Sequence, residues 1–288
     1  MPMHRVLIAC LAATAAVAFA ATDTARLEAV LAAQPAAVQA RYAARHPAAT
    51  LTFFEVAPGT TVIEAFPGDA GYTRILSAYL GPEGRLVGAD YALDMYPRFG
   101  FFTLGQVQAR ENWVNEWVEG AADWQGPEDA LLSAFVFGSM PETLYGAADT
   151  VLFIRALHNL ARFEADGGYL TLALEDAWNA LKPGGIVGVV QHMAREDMPD
   201  AWADGSNGYL KESFVIERFT AAGFEFVDRS DINFNEQDRP GVDDRVWRLP
   251  PTLATSRGNP ERREAMQAIG ESHRMTLKFR KPESKETP

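Results

Sequence analysis

The sequence predicts an open α/β sandwich, a mostly parallel sheet covered by helices on both faces. Three observations predict it. Strand-like apolar runs alternate with helical stretches along most of the chain, and the first run ends in a glycine-bearing turn that enters a helix, "VIEAFPGDAGYTRIL" at 62–76. The final run, "RMTLKFRK" at 274–281, alternates apolar and polar side chains instead of being apolar throughout. Strands joined by helical crossovers pair in parallel with right-handed connections, and an alternating strand suits an edge or antiparallel position.

The elements follow in order. An alanine-rich helical entry precedes the first strand, "TTVIEAF" at 60–66, and further strands are predicted at 85–91, 133–138, 149–157, 185–192 and 224–230. Between the fourth and fifth, Leu170, Leu174, Ala177, Trp178 and Leu181 make one apolar helical face, which "KPGG" at 182–185 terminates. Phe214, Val215, Phe219 and Ala222 repeat the pattern ahead of Gly223, a residue suited to a left-handed cap. Trp113 and Trp117, four apart, share a helix face with Trp124 at its exit, which reads as packing and not as an aromatic cage. Residues 231–273 carry no strong periodicity. So long a connection reads as a lid or substrate-recognition insert, although its closely spaced Asn233, Asn235 and Asp238 also suit ordinary turns.

The ends and the composition bound the function. Arg5, an apolar run over 6–20 and small residues around Ala20 have the layout of a secretory signal cleaved after Ala20, and the run is short for a membrane span. This predicts export, periplasmic residence and no stable membrane insertion of a mature domain over 21–282, followed by a disordered tail at 283–288. Cys10, the single cysteine, lies in the signal, so the mature chain has no thiol chemistry. A formal charge of −12 with no basic stripe argues against nucleic acid and for a small-molecule substrate.

In open α/β sheets, ligands sit beyond the carboxyl ends of the strands. The turn after the first strand occupies that place. Gly68 and Gly71 let a ligand approach the backbone, Pro67 stiffens the turn, and Asp90 follows Gly68 by 22 residues, near the offset at which an acid meets ribose hydroxyls. The turn could also be a tight connection with no ligand. His158 and His192 fall at the ends of the fourth and fifth strands, where an imidazole with a pKa near 6.5 suits general-base work. Each could equally bond backbone at a strand end. A metal held by His158, His192 and Asp231 or Asp238 lacks any HxH or HExxH pair, and no metal site is expected.

The pieces "VIEAFPGDAGYTRIL", "LVGADY", "LFIRALHNL", "ALKPGGIVGVVQH", "AAGFEF" and "MTLKF" stand in the order of the sheet motifs of class I S-adenosylmethionine-dependent methyltransferases. More narrowly, "RHPAATLTFFEVAPGTTVIEAFPG", "SDINFNEQD", "VWRLPPTL" and "AIGESHRMTLKF" resemble a family of exported, predicted methyltransferases of largely unknown substrate, over about residues 23–282. The resemblance implies a Rossmann-like, seven-stranded methyltransferase sandwich with its last strand antiparallel, and S-adenosylmethionine across the strand ends. By position, Glu64 would orient the amino-acid end of the cofactor. Pro67, Gly68, Asp69, Ala70, Gly71 and Tyr72 would line it. Asp90 and Tyr91 would hold the ribose side, and Gly138, Ser139 and Met140 would flank adenine. Arg155, His158, Asn159 and His192 would face the substrate. Phe66 stands where many methyltransferases have the first glycine, Asp69 and Ala70 replace a glycine pair, and Ser139 replaces an adenine-bonding acid. The expected function is methyl transfer to a small-molecule oxygen or nitrogen. The competing expectation is a non-catalytic small-ligand-binding protein on the same fold, which would avoid the need for cofactor outside the cytoplasm.

Overall fold

A computed structural model describes residues 21–67 and 71–283. The expected signal at 1–20, the centre of the glycine turn (Gly68, Asp69 and Ala70) and the end of the expected tail therefore lie outside the described residues.

The strands are β1 (Thr61–Ala65), β2 (Arg85–Asp90), β3 (Leu131–Val136), β4 (Ala148–Ile154), β5 (Leu181–Ala194), the two-residue β6 (Leu210–Lys211), β7 (Glu225–Ser230) and β8 (Arg274–Arg280). The main sheet runs β3-β2-β1-β4-β5-β8-β7, with β6 paired to the end of β5. Strands β3 to β5 pair in parallel through β2, β1 and β4, whereas β8 runs antiparallel to both β5 and β7. This is the Rossmann-like methyltransferase sandwich expected above.

Alternation along the inner strands explains the two layers. Ile63, Val87, Val151 and Phe153 point into a core shared with the helices Tyr169–Ala180 and Glu212–Ala221. Their neighbours Val62, Leu86 and Leu152 point into a second core, against the helices Thr24–Ala33 and Gly71–Leu80. A strand buried on both faces has no polar side, so these runs are apolar almost throughout. Gly88 has a specific reason to be glycine: a Cβ there would lie 3.0 Å from the Trp117 ring, which packs flat on β2. Trp113 and Trp117 share the helix Trp113–Gly120 with ring centroids 5.9 Å apart, a packing pair.

Three expectations need correction. The last strand is antiparallel but not an edge: β8 lies between β5 and β7, and the exposed edge is β7. Its polar face is satisfied inside the protein, where Asn233 Nδ2 donates to Thr276 Oγ1 at 3.0 Å, Lys278 pairs with Glu55 at 2.8 Å and Arg274 pairs with Glu271 at 2.9 Å. The "KPGG" segment ends the preceding helix but belongs to β5, where Gly184 adopts φ +78° and Lys281 N donates to Gly185 O. The third strand ends at Val136, two residues short of the expected 138. Phe137 stays buried, yet Gly138 at φ +82° turns the chain away.

Candidate functional site

The carboxyl ends of β1, β2, β4 and β5 open on one side of the sheet, and the expected catalytic residues meet there. Glu64, the penultimate residue of β1, is buried and accepts a hydrogen bond from Thr73 Oγ1 at 2.8 Å. Arg155 follows β4 at φ +60°, its amide donating to Val190 O at 2.7 Å; that left-handed turn starts the helix Leu157–Arg162, which carries His158 and Asn159. His192 lies on β5. Its ring centroid is 5.6 Å from that of His158, and Trp247 closes on His158 edge-on at 5.9 Å. Glu64, Tyr72, Arg155, His158, Asn159 and His192 thus share a cavity of about 310 Å³, roofed by Leu249 and the cis Pro250-Pro251 pair.

Both imidazoles are held neutral. Burial, with Arg155 and Arg162 nearby, pushes His158 down to about 4. Burial, His158 and Arg274 push His192 well below its ordinary value. A neighbour favours one tautomer of His158. Gln191 Nε2 donates to Gly208 O at 2.9 Å, so Gln191 Oε1, 3.5 Å from His158 Nδ1, can only accept. That oxygen suits the tautomer of His158 that carries its proton on Nδ1. Gly205 at φ +97° brings its loop against the carbonyl of His158, a contact that any Cβ would prevent.

Several groups in the site are not evident from sequence. Ser272 Oγ lies 2.6 Å from His192 Nδ1. Glu271, also lining the cavity, pairs with Arg41 at 2.9 Å, Arg45 at 3.1 Å and Arg274 at 2.9 Å. Burial alone would raise the Glu271 carboxyl, but Arg45 and Arg274 outweigh it and hold the group below its usual range. Glu271 and Arg274 stand three apart at the start of β8, whereas Arg41 and Arg45 arrive from more than 200 residues away.

The expected nucleoside residues are arranged differently. Asp90 is buried: its Oδ1 accepts from Tyr91 N at 2.9 Å, and its Oδ2 accepts from Tyr96 OH at 2.7 Å and faces Arg110 at 3.5 Å. Burial leaves its carboxyl raised despite these donors. Phe66, at φ +52°, keeps the left-handed backbone of the glycine it replaces and lays its ring on Tyr91, centroids 4.3 Å apart. Tyr91 OH donates to Ala156 O and accepts from Asn159 Nδ2. Gly138 N is taken by Asp176 Oδ2 at 2.7 Å, Met140 packs in the core and Ser139 is exposed. Pro67, Asp90, Gly138, Ser139 and Met140 line neither this cavity nor the wider cleft beside it, and Gly71 lies with Arg45 on a separate small pocket.

S-adenosylmethionine fits the described residues at its amino-acid end, where Glu64 and Arg155 offer an anion and a cation to an ammonium and a carboxylate. At its nucleoside end, Tyr96 already bonds one oxygen of Asp90, and Phe66 covers the ring of Tyr91. The metal alternative finds no support. Asp238 is spent on Arg248 at 2.7 Å, Tyr209 and the amide of His273, and no metal-ligand group of three is formed among the described residues.

No protein-family model and no curated protein matches the sequence. Solved structures do match the fold. SpnF, a (4+2)-cyclase, aligns at TM-score 0.52 and 21% identity over 84% of this chain and 82% of its own. A SAM-dependent methyltransferase from Aquifex aeolicus aligns at TM-score 0.52 and 13% identity over 90% and 98%. At these identities the likeness establishes the fold.

Proposed function

We propose that the chain transfers a methyl group from S-adenosylmethionine to an oxygen or nitrogen of a small molecule, with His158 as general base. The carrying observation is a buried, neutral His158 lining the same strand-end cavity as Glu64 and Arg155, on a fold shared with a SAM-dependent methyltransferase. The bound cofactor would supply an electrophilic methyl group on a sulfonium. The chain's own part is to orient the acceptor and accept its proton. A neutral imidazole takes the proton of a hydroxyl as its oxygen is alkylated, or of the ammonium formed when a neutral amine is alkylated, and positioning in a cavity lined by Trp247 and Leu249 supplies much of the remaining acceleration. Asn159 and His192 flank the acceptor, and Ser272 holds the His192 ring in place.

A specific observation favours a second reading, a small-ligand protein without methyl transfer: Phe66 covers Tyr91, and Tyr96 caps Asp90. A (4+2)-cyclase shares this fold, so the architecture does not dictate methyl transfer. Calorimetry with S-adenosylhomocysteine separates the two. Methyl transfer requires micromolar binding to the mature protein, tightened by Tyr96→Phe and Phe66→Gly as the nucleoside groups are released. His158→Ala should then abolish transfer and spare that binding. Silence from the wild type and both variants would sink the methyltransferase reading. Export with cleavage after Ala20 belongs to the same proposal, and an intact-mass measurement of the protein from its host, beginning at Ala21, tests it.

A further inference from the structure

Beside the His158 cavity, and sharing Phe66, Asn159, Trp247 and Thr252 with it, lies a wider cleft of about 920 Å³. Its walls differ in kind. One side is a continuous run of rings: Tyr96 against Phe102 edge-on at 5.2 Å, Phe99 against Phe102 at 5.7 Å and Phe101 against Phe102 at 4.7 Å, with Phe101 69% exposed. The other side presents Arg162, Arg245 and Arg257, and Arg110 stands over the Tyr96 ring at 5.0 Å. No aspartate or glutamate lines the cleft, in a chain whose formal charge is −12. Arg110 is engaged by Asp90, but Arg162, Arg245 and Arg257 have no carboxylate partner among the described residues. Clustered guanidiniums repel one another, and without a counter-ion the arrangement destabilises the fold slightly. Rings with an exposed face and guanidiniums with free donors are complementary to a planar π-system carrying an oxyanion.

We infer that this cleft is a binding site for an aromatic carboxylate or comparable aromatic oxyanion, its ring on the Phe99, Phe101 and Phe102 wall and its anionic group on Arg245 and Arg257. The wall shared at Asn159 and Trp247 lets a hydroxyl or amine on the far side of the ring system enter the His158 cavity. Only the ligand's role as methyl acceptor rests on the function proposed above; its binding does not.

The test uses the mature protein and 6-hydroxy-2-naphthoate, followed by its own fluorescence, with 6-hydroxy-2-naphthamide and cyclohexanecarboxylate as controls, all without S-adenosylmethionine. The naphthoate should bind at least tenfold more tightly than either control and weaken with added salt. The Arg245→Gln, Arg257→Gln double variant should lose at least tenfold toward the naphthoate and little toward the amide. Both arginines are exposed, so the variant should fold, and an unchanged melting curve verifies it. Phe101→Ser, also at an exposed position, should weaken the naphthoate and leave cyclohexanecarboxylate unaffected. Equal affinity for acid and amide, or an unaltered affinity in the arginine variant, overturns the inference. Calorimetry with S-adenosylhomocysteine on the same preparation keeps the two proposals apart: naphthoate binding without cofactor binding upholds the site and removes methyl transfer, and the reverse removes the site alone.

Discussion

At the scale of single residues, His158 makes a prediction whose sign can be worked out. Its folded pKa is about 4, against an ordinary value of about 6.5, because the buried ring resists charging. Above about pH 6.5 both folded and unfolded forms are neutral and stability is full. Between about 6.5 and 4 the unfolded chain takes up a proton that the folded chain refuses, so stability falls with pH by up to about 3 kcal/mol from this group. Urea unfolding measured from pH 7 to 4.5 should show that slope, and His158→Gln should reduce it; an unchanged slope would count against a buried neutral imidazole. Under the proposed mechanism, the same pKa predicts that turnover persists from neutral pH down to about 5, where an ordinary histidine base would already be protonated. The proximity of His158 and His192 was legible in the sequence from the neighbouring fourth and fifth strands, although His158 stands on the helix that follows β4 and not at the strand's end. Gln191, Ser272 and Glu271 were not, since their roles come from contacts across the fold. Phe66 was legible only as a lost glycine. Its left-handed φ, which costs a bulky residue on the order of 1 kcal/mol, and its stacking on Tyr91 depend on the strand that arrives beside it.

At the scale of elements, residues 231–273 read from sequence as a lid or insert or as ordinary turns, and their ties to the rest of the fold were not legible. The Asn and Asp residues suggested turns, and they do more than make turns. Asn233 Nδ2 reaches Thr50 and Thr276, Asn235 Nδ2 reaches the carbonyls of Ile269 and Glu271, and Asp238 meets Arg248 with both side chains almost wholly buried. These ties set the position of Trp247, Leu249 and the prolines over the cavity. Asp238→Asn leaves a buried guanidinium with the partly exposed Asp244, 3.2 Å away, as its carboxylate partner and with the hydroxyl of Tyr209. Removing one partner of a buried pair costs about 3 to 5 kcal/mol, and Asp244 places this case near the lower figure. The expected result is a loss of about 3 kcal/mol in denaturant unfolding, together with faster tryptic cleavage at Arg245, which precedes Val246. Wild-type cleavage rates in the variant would show that the Asp238 pair does not anchor the segment. A partly released cover would also raise the Michaelis constant of any acceptor before it lowered turnover.

At the scale of the whole molecule, the alternation of strands and helices carried the layer architecture, because each strand buried on both faces must be apolar and each crossover must show an apolar helical stripe. The place of β8 escaped that logic. Its half-polar pattern reads as an edge or antiparallel strand; it is antiparallel but interior, because its polar side chains find partners on the remote Glu55 and Asn233 and on the neighbouring Glu271. The consequence is that β8, the most C-terminal strand among the described residues, lies inside the sheet next to its β7 edge. Met275, Leu277 and Phe279 are fully buried, and Phe279 stacks on Phe219 at 4.5 Å. A chain ending at residue 273 would leave the Ile186 to His192 flank of β5 unpaired and would detach β7, whose ladder is made with β8. Such a truncation should yield no cooperative unfolding transition by circular dichroism. Leu277→Ala, which keeps the backbone ladder, should cost about 2 to 5 kcal/mol, whereas Phe226→Ala on the exposed edge should cost about 1 kcal/mol. If the truncated chain melted cooperatively near the full-length temperature, β8 would be an appendage to a sheet complete without it. The order β5-β8-β7 would then contribute little to the stability of the cleft that His192 and Ser272 share.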